Sequence, residues 1–316
     1  MQETTKKITI CIPVYNRADL IESSVNSALA QTYSNFEIIV VDNASDDGTW
    51  ELLQQKYNSE PKVKLYRNNN NLGPVKNWLK CISLSDGHFT KILFSDDSIA
   101  ENYLSECIKM FDENIAFVIT PAQVGPHQKH AKVYYSQNNQ IINKSFFRSY
   151  LVSYPNALVS PGAALFRTED LRRSFVEALP DYESVGFSYY GAGPDLLLFL
   201  QTLERYDFVA YSPLTSAFFR SHDGSATTSA IKSRSWPIRE CYNKTRAWHL
   251  THHGSERDRN KLAGRILITE FVEEAQFKSS KAIKEKYYGL EHNYFKAFYY
   301  AIIFAIKSFY LRRKNS

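Results

Sequence analysis

The chain has 316 residues, 44% hydrophobic and 22% charged, with a formal net charge of +5. That balance excludes a disordered or fibrous chain and allows one large domain with an appendage. No stretch approaches the roughly 18 uncharged apolar residues of a spanning helix, and polar residues 1–7 run into a strand pattern without a secretory leader.

Residues 8–12, Ile-Thr-Ile-Cys-Ile, are a short apolar run closed by Pro13, the pattern of a buried strand. Residues 18–31 follow with Leu20, Ile21, Val25, Ala28 and Leu29 at helical spacing. A second apolar run, 36–41, ends at Asp42-Asn43. Residues 49–57 read as a helix and 63–66 as a strand. A further helix covers 75–84, with Pro74 at its first turn. A fourth strand over 91–94 ends at Ser95-Asp96-Asp97. Near-continuous apolar strands alternating with helices predict an α/β fold, a mostly parallel sheet covered on both faces. In such sheets ligands lie outside the carboxyl ends of the strands. Those ends carry residues 13–17, 42–48 and 95–98, where polar and acidic side chains converge.

Further along, 115–120 and 157–167 read as strands, the latter interrupted by Pro161-Gly162, and 195–205 as a strongly apolar helix opening with Gly193-Pro194-Asp195. Strands at 208–211 and 217–220 precede a small, polar stretch, 221–229. From about 235 the pattern is helical to the end. The four cysteines, Cys11, Cys81, Cys107 and Cys241, show no paired or metal-type spacing, which suits a reduced, cytoplasmic protein.

Asp96-Asp97 is the sharpest chemical signal. Successive side chains on extended backbone point to opposite sides. One carboxylate can therefore hold a hard divalent ion, Mg²⁺ or Mn²⁺, while the other accepts hydrogen bonds from a sugar hydroxyl. The plain alternative is a solvated acidic turn. Asp42 sits at a strand tip on the same edge, whereas Asp46 or Asp47 is explained by capping the helix at Thr49. Residues 68–74 form a turn, with Gly73 free to take positive φ, ahead of a helix N-terminus that attracts phosphate.

Pro13-Val14-Tyr15-Asn16-Arg17, Ser27 to Tyr33, Phe36 to Thr49, Asn71-x-Gly73 and Asp96-Asp97 together resemble glycosyltransferase family two over residues 8–99. The resemblance implies the GT-A nucleotide-diphospho-sugar transferase fold over about 1–230, its nucleotide-sugar half at about 1–100 and its acceptor half at about 101–230. It implies an inverting, metal-dependent transferase of the hexosyl or N-acetylhexosaminyl type that uses a UDP-sugar. On this view Pro13, Tyr15 and Asp42 surround the base, and Arg17, Asn71 and Gly73 complete the nucleotide site. Asp96 contacts the ribose and Asp97 the metal. Gly191 to Asp195 resembles the family's acidic acceptor motif, which makes Asp195 the catalytic base; the alternative is an acid that merely complements the helix dipole. Residues 220–225 resemble a segment that folds over the diphosphate, with Arg220 or Ser225 on phosphate oxygens and His222 a further metal ligand; the alternative is a structural or solvated histidine. Two departures stand out. Phe94 occupies the leading position of a metal motif that many members write Asp-x-Asp-Asp. Residues 201–206 also lack the Gln-x-x-Arg-Trp of processive synthases, so a non-processive enzyme is expected. The rivals are a nucleotidyltransferase, for which residues 13–17 lack the expected glycine-rich loop, and a non-catalytic nucleotide-sugar binding module.

The charge is unevenly spread. Residues 231–316 carry 18 Lys+Arg against 8 Asp+Glu, and the first 230 carry 20 against 25. This argues against a nucleic-acid partner and for an enzyme body joined to something that meets an anionic surface. The helical region 231–316 ends in ten uncharged apolar residues, 297–306, followed by Arg312-Arg313-Lys314. Such a helix suits an anionic membrane surface on the cytoplasmic face, where the acceptor is a lipid-linked glycan of surface polysaccharide synthesis. The alternative is packing into a homo-oligomer or onto the catalytic domain.

Overall fold

The structure is a computed structural model that describes residues 6–135, 140–153, 160–177, 179, 191–222, 237–274, 278–287 and 289–314. The chain divides into two compact units, 1–144 with 158–235, and 145–157 with 236–316. The second includes a helix from mid-sequence that the helical pattern beginning near 235 did not announce.

In the first unit, β1 (Ile8–Val14) and β2 (Phe36–Asp42) are buried along their whole length. They pair in parallel, with Val14 opposite Asp42, so both strands deliver their loops to one edge. β3 (Val63–Arg67) and β4 (Phe89–Ile92) flank them, also in parallel. Three helices return the chain between these strands: α1 (Ile21–Leu29), α2 (Thr49–Tyr57) and α3 (Pro74–Leu84). α1 buries Ile21, Ser24, Val25 and Ala28, one stripe at helical spacing. β5 (Ser98–Ile99) and α4 (Tyr103–Ile108) follow. The next strands are β6 (Ile115–Ile119), β7 (Ala122–Gly125), β8 (Lys132–Tyr135) and β9 (Ile141–Asn143).

The interruption expected at Pro161-Gly162 is present. Pro161–Ala163 makes a short 3-10 turn and β10 (Ala164–Arg167) follows. α6 (Thr168–Ser174), α7 (Pro194–Leu203), β11 (Phe208–Tyr211) and β12 (Ala217–Arg220) are the remaining described elements of the unit. The main sheet has eight strands in the order β3-β2-β1-β4-β10-β6-β11-β9, and β5-β12-β7-β8 form a smaller one. β10 runs antiparallel between β4 and β6. α7 is apolar nearly all round and almost wholly buried. Its Phe199 packs 5.0 Å from Phe117 and 5.3 Å from Phe166. Each such buried ring stabilises by about 2–3 kcal/mol. All four cysteines are buried, and none is in a disulfide.

The second unit is helical: α5 (Lys144–Ser153), α8 (Pro237–His253), α9 (Glu256–Glu274), α10 (Ser280–Lys286) and α11 (Tyr294–Lys314). Its core joins Val152, Leu250, Leu262, Ile266, Ile283, Leu290 and Ala301, among others. A side chain at Gly264 would collide with the Ala297 carbonyl, so α9 and α11 approach backbone to backbone. Among the described residues no helix is long and apolar enough to cross a membrane.

Candidate active site

The loops after β1 and β2 are stitched together. The Asn16 N–H donates to Ser45 Oγ at 2.9 Å, and the Arg17 N–H to Thr49 Oγ1 at 2.9 Å. Asn16 and Ala44 hold φ of 49° and 61°, the left-handed region, which turns both loops sharply at the sheet edge. Asp47 accepts from the N–H groups of Thr49 and Ala18, each at 3.0 Å. Burial pushes its carboxyl up, but these bonds outweigh that and hold it below the usual carboxylate range. It is a structural brace, as the sequence suggested.

Asp42 is fully buried at the tip of β2. It accepts from the backbone N–H of Ser45 at 3.2 Å and from the Ser45 hydroxyl. Arg67, its register partner on β3, places Nε 3.2 Å from Oδ2 and donates to the Ser45 carbonyl at 2.9 Å. Pro13 lies opposite Val41, one step in from the edge, and Tyr15 beyond it is 41% exposed.

Asn71 and Gly73 belong to a web of amides. Asn43 donates to Asn71 Oδ1 at 2.7 Å and to the Gly73 carbonyl at 3.3 Å. Its own Oδ1 accepts from Asn68 at 2.9 Å and from the Leu72 N–H at 3.0 Å. Asn68 also donates to Asn77 on α3, whose Nδ2 bonds the Val41 carbonyl at 3.1 Å. Gly73 takes φ of 81°, as its turn requires.

The second corner follows β4. The Asp97 N–H donates to the Phe94 carbonyl at 3.1 Å, closing a turn that re-aims the two acids. Asp97 is 8% exposed, and its Oδ1 accepts from the Arg220 backbone N–H at 3.0 Å. Burial, and then the neighbouring Asp96 carboxylate, push its carboxyl well above the usual range. Asp96 Oδ2 meets His222 Nε2 at 3.0 Å and Arg17 Nε at 4.0 Å, and its carbonyl accepts from Arg220 Nε at 3.2 Å. Strand β12 thus carries Arg220 and His222 to the acidic turn. His222 meets Asp96 rather than Asp97. Ser225 lies outside the described residues.

Asp195 opens α7 and is 8% exposed, with Oδ1 accepting from the N–H groups of Gly193 at 2.8 Å and Leu196 at 2.7 Å. Those bonds fix the direction of the carboxylate.

The profile of glycosyl transferase family 2 matches residues 9–175, more than half of the chain. The chain belongs to that family. Among related proteins, this member is 41% identical over 101 residues to the abequosyltransferase RfbV of Salmonella typhimurium, covering 31% of the chain and 30% of RfbV. It is 25% identical over 225 residues to WfaP of Escherichia coli, a UDP-Glc:alpha-D-GlcNAc-diphosphoundecaprenol beta-1,3-glucosyltransferase, covering 71% of the chain and 81% of WfaP. Crystalline TarS 1–349 of S. aureus, in complex with UDP-GlcNAc, superposes with a TM-score of 0.61 at 19% identity, covering 84% of this chain and 73% of that one. The fold is the GT-A fold expected from the sequence.

The family implies a divalent cation. Among the described residues no group of three or more His, Cys, Asp or Glu could hold one unaided. The second corner nevertheless fits a sparse site. Asp96 and Asp97 set two carboxyl groups side by side in one turn, His222 adds an imidazole beside Asp96, and diphosphate oxygens commonly complete the shell of Mg²⁺ or Mn²⁺.

Several site residues escaped sequence reasoning. Lys91 on β4 is fully buried, donating to the Gly162 carbonyl and lying 4.5 Å over the Tyr103 ring. Burial lowers its pKa to about 7, against weaker support from Cys107 and Asp97. Its signal was a lone charge inside an otherwise apolar strand. Arg67 had a fainter one, a cation ending the strand next to Asp42. Trp78 had none, because its neighbours come from distant segments.

Proposed function

We propose that this protein transfers one sugar from a nucleotide-diphospho sugar, with UDP as the nucleotide, to a hydroxyl of a lipid-linked glycan, inverting the anomeric centre. The observation that carries this reading is the shared sheet edge. There a fully buried, cation-paired Asp42 and the acidic Asp96–Asp97 turn stand at the ends of strands flanking β1. The donors and acceptors named for WfaP and TarS support the nucleotide and the acceptor class.

Asp42 accepts a hydrogen bond from the base, between Pro13 and Tyr15, while Arg17, Asn71 and Gly73 border the nucleotide. Asp96 accepts from the ribose. Asp97 and His222 hold the divalent cation, Mn²⁺ or Mg²⁺, which when bound supplies positive charge to the diphosphate. Arg220 meets phosphate oxygens, and Ser225 is assigned the same role. The acceptor oxygen attacks the anomeric carbon from the side opposite the diphosphate. The bond from that carbon to the diphosphate oxygen breaks, and its electron pair leaves with the nucleoside diphosphate. Asp195 takes the acceptor's proton. Residues 1–230 form the catalytic part in this reading.

The helical region 231–316 holds the enzyme on the inner face of an anionic membrane. The exposed apolar side chains on α11 support this: Phe295, Tyr299, Ile302 and Ile306. Release of the protein from anionic vesicles on deleting 294–316 agrees with that role; unchanged partitioning with loss of a dimer assigns the helix to oligomer contacts.

The test of the whole reading is thermal stabilisation by a panel of nucleotide sugars with and without Mn²⁺. Metal-dependent stabilisation by at least one UDP-sugar, absent in Asp97→Ala, is expected. No stabilisation by any nucleotide overturns it.

A further inference from the structure

Between the acidic turn and the loop that carries Asp195 lies an aromatic wall with no assigned task. Phe94, the residue standing where the resembling motif places an acid, is half-buried, its ring centroid 5.2 Å from that of Trp78 at an interplanar angle of 50°. Trp78 projects from α3 and meets Phe175 edge-on at 6.0 Å. Two glycines let the rings sit there. A Cβ on Gly191, four residues before Asp195, would lie 2.6 Å from Trp78 Cη2. A Cβ on Gly162 would lie 3.2 Å from Phe94 Cδ2 and 3.0 Å from Phe219 Cε1. The wall is therefore tied at one end to the metal motif, through Phe94 itself, and at the other to the base loop.

In the proposed reaction the transferred sugar must occupy this interval, since its anomeric carbon lies between the diphosphate and the base. We infer that Phe94 and Trp78 face the transferred sugar and select a deoxyhexose, one that turns a methyl or methylene group toward the wall. This rests on the nucleotide-sugar reading above and narrows the hexosyl class it began from. Aromatic faces make favourable contact with C–H groups. A hydroxyl pressed against two rings loses its water and gains no acceptor. The acid that could have received it is absent, because position 94 is Phe. The carboxylates that follow Phe94 in sequence hold other partners in the structure, Asp96 with His222 and Asp97 with the Arg220 N–H.

An apolar surface rejects an added hydroxyl only moderately, by about 100-fold at most. The test therefore uses matched donors that share a nucleotide. Full-length protein with Mn²⁺ is assayed for donor hydrolysis and affinity with UDP-glucose against UDP-6-deoxyglucose, and UDP-N-acetylglucosamine against its 6-deoxy counterpart. The GDP, dTDP and CDP pairs follow. The expected result is a kcat/KM roughly 10- to 100-fold higher for the deoxy member of a pair. Trp78→Arg and Phe94→Asn should each cut that ratio to about threefold or less while free UDP binds as before, which also reports that the variants fold. A ratio near one or favouring the hydroxylated donor, with UDP bound normally, overturns the deoxyhexose assignment alone. Variants that alter only the acceptor's KM also overturn it and move the wall to the acceptor. Failure of every nucleoside diphosphate to bind overturns the underlying reading together with this one.

Discussion

Two buried aspartates at the same sheet edge are treated in opposite ways. Asp42 has a guanidinium at 3.2 Å and two donors from Ser45, so its charge is matched before any ligand arrives. Asp97 has one backbone N–H at 3.0 Å, another carboxylate beside it, and burial that disfavours its charged form. The first corner is preformed and the second is short of positive charge. A base needs a rigid acceptor, whereas a cation and a diphosphate bring their charges with them. Under the proposed reading, that difference in neutralisation suits the two tasks assigned to the corners.

The largest effect should touch neither corner's charge balance. Asp195→Asn keeps an acceptor for the Gly193 and Leu196 amides, so nucleotide affinity stays while transfer falls about 10²- to 10⁴-fold in a steady-state assay. Asp97→Asn, which keeps an acceptor for the Arg220 N–H, should cost transfer about 10²- to 10³-fold. It should also raise the melting temperature of the ligand-free protein, because a strained charge is gone. A fall in melting temperature would erase the contrast between the corners. Arg67→Met should move stability the other way, by about 3 kcal/mol in urea unfolding, since it strands the Asp42 carboxylate.

Lys91 sharpens the comparison from behind the second corner. Its folded pKa, lowered by burial to about 7, lies below the 10.5 of the exposed side chain. Between those values the unfolded chain holds a proton that the native protein has released, so stability rises with pH across that window. Below about 7 the cost is complete. Lys91→Met should flatten the rise and stabilise the protein at pH 7 by about 2 kcal/mol, read from unfolding curves at several pH values. The smallest change in stability belongs to Phe295→Glu on α11, where the side chain is 85% exposed. Stability should stay within about 0.5 kcal/mol, while binding to anionic vesicles weakens in a flotation assay.

The parallel half of the sheet was legible because β1 and β2 are continuous apolar runs, signals that local sequence carries whole, although β1 runs on through Pro13 to Val14 and β4 spans Phe89–Ile92 rather than 91–94. Helix 49–57 and strands 208–211 and 217–220 fall where the pattern put them. What escaped is non-local. The insertion of β10 between β4 and β6 depends on pairings far apart in sequence. The membership of 145–157 in the helical unit depends on contacts such as Arg246 Nε donating to the Leu151 carbonyl. In the site, Asp42, Asp96 and Asp97 were readable as acids at strand ends. The contact of His222 with Asp96 was not, because it depends on where β12 stops beside a turn more than a hundred residues earlier.

The amide web around Asn43 also bears on how this site can change over generations. Donor and acceptor directions there are set by backbone atoms: the Val41 carbonyl orients Asn77, and the Leu72 N–H and Gly73 carbonyl orient Asn43. An Asp at 43 would turn a donor toward Asn71 Oδ1 and the Gly73 carbonyl into a third acceptor, and no rotation repairs that. Positions 43, 68, 71 and 77 are thereby linked as one heritable block. A lineage can vary Phe94 or Trp78 one residue at a time, but it can remodel this corner of the sheet edge only by several coordinated substitutions.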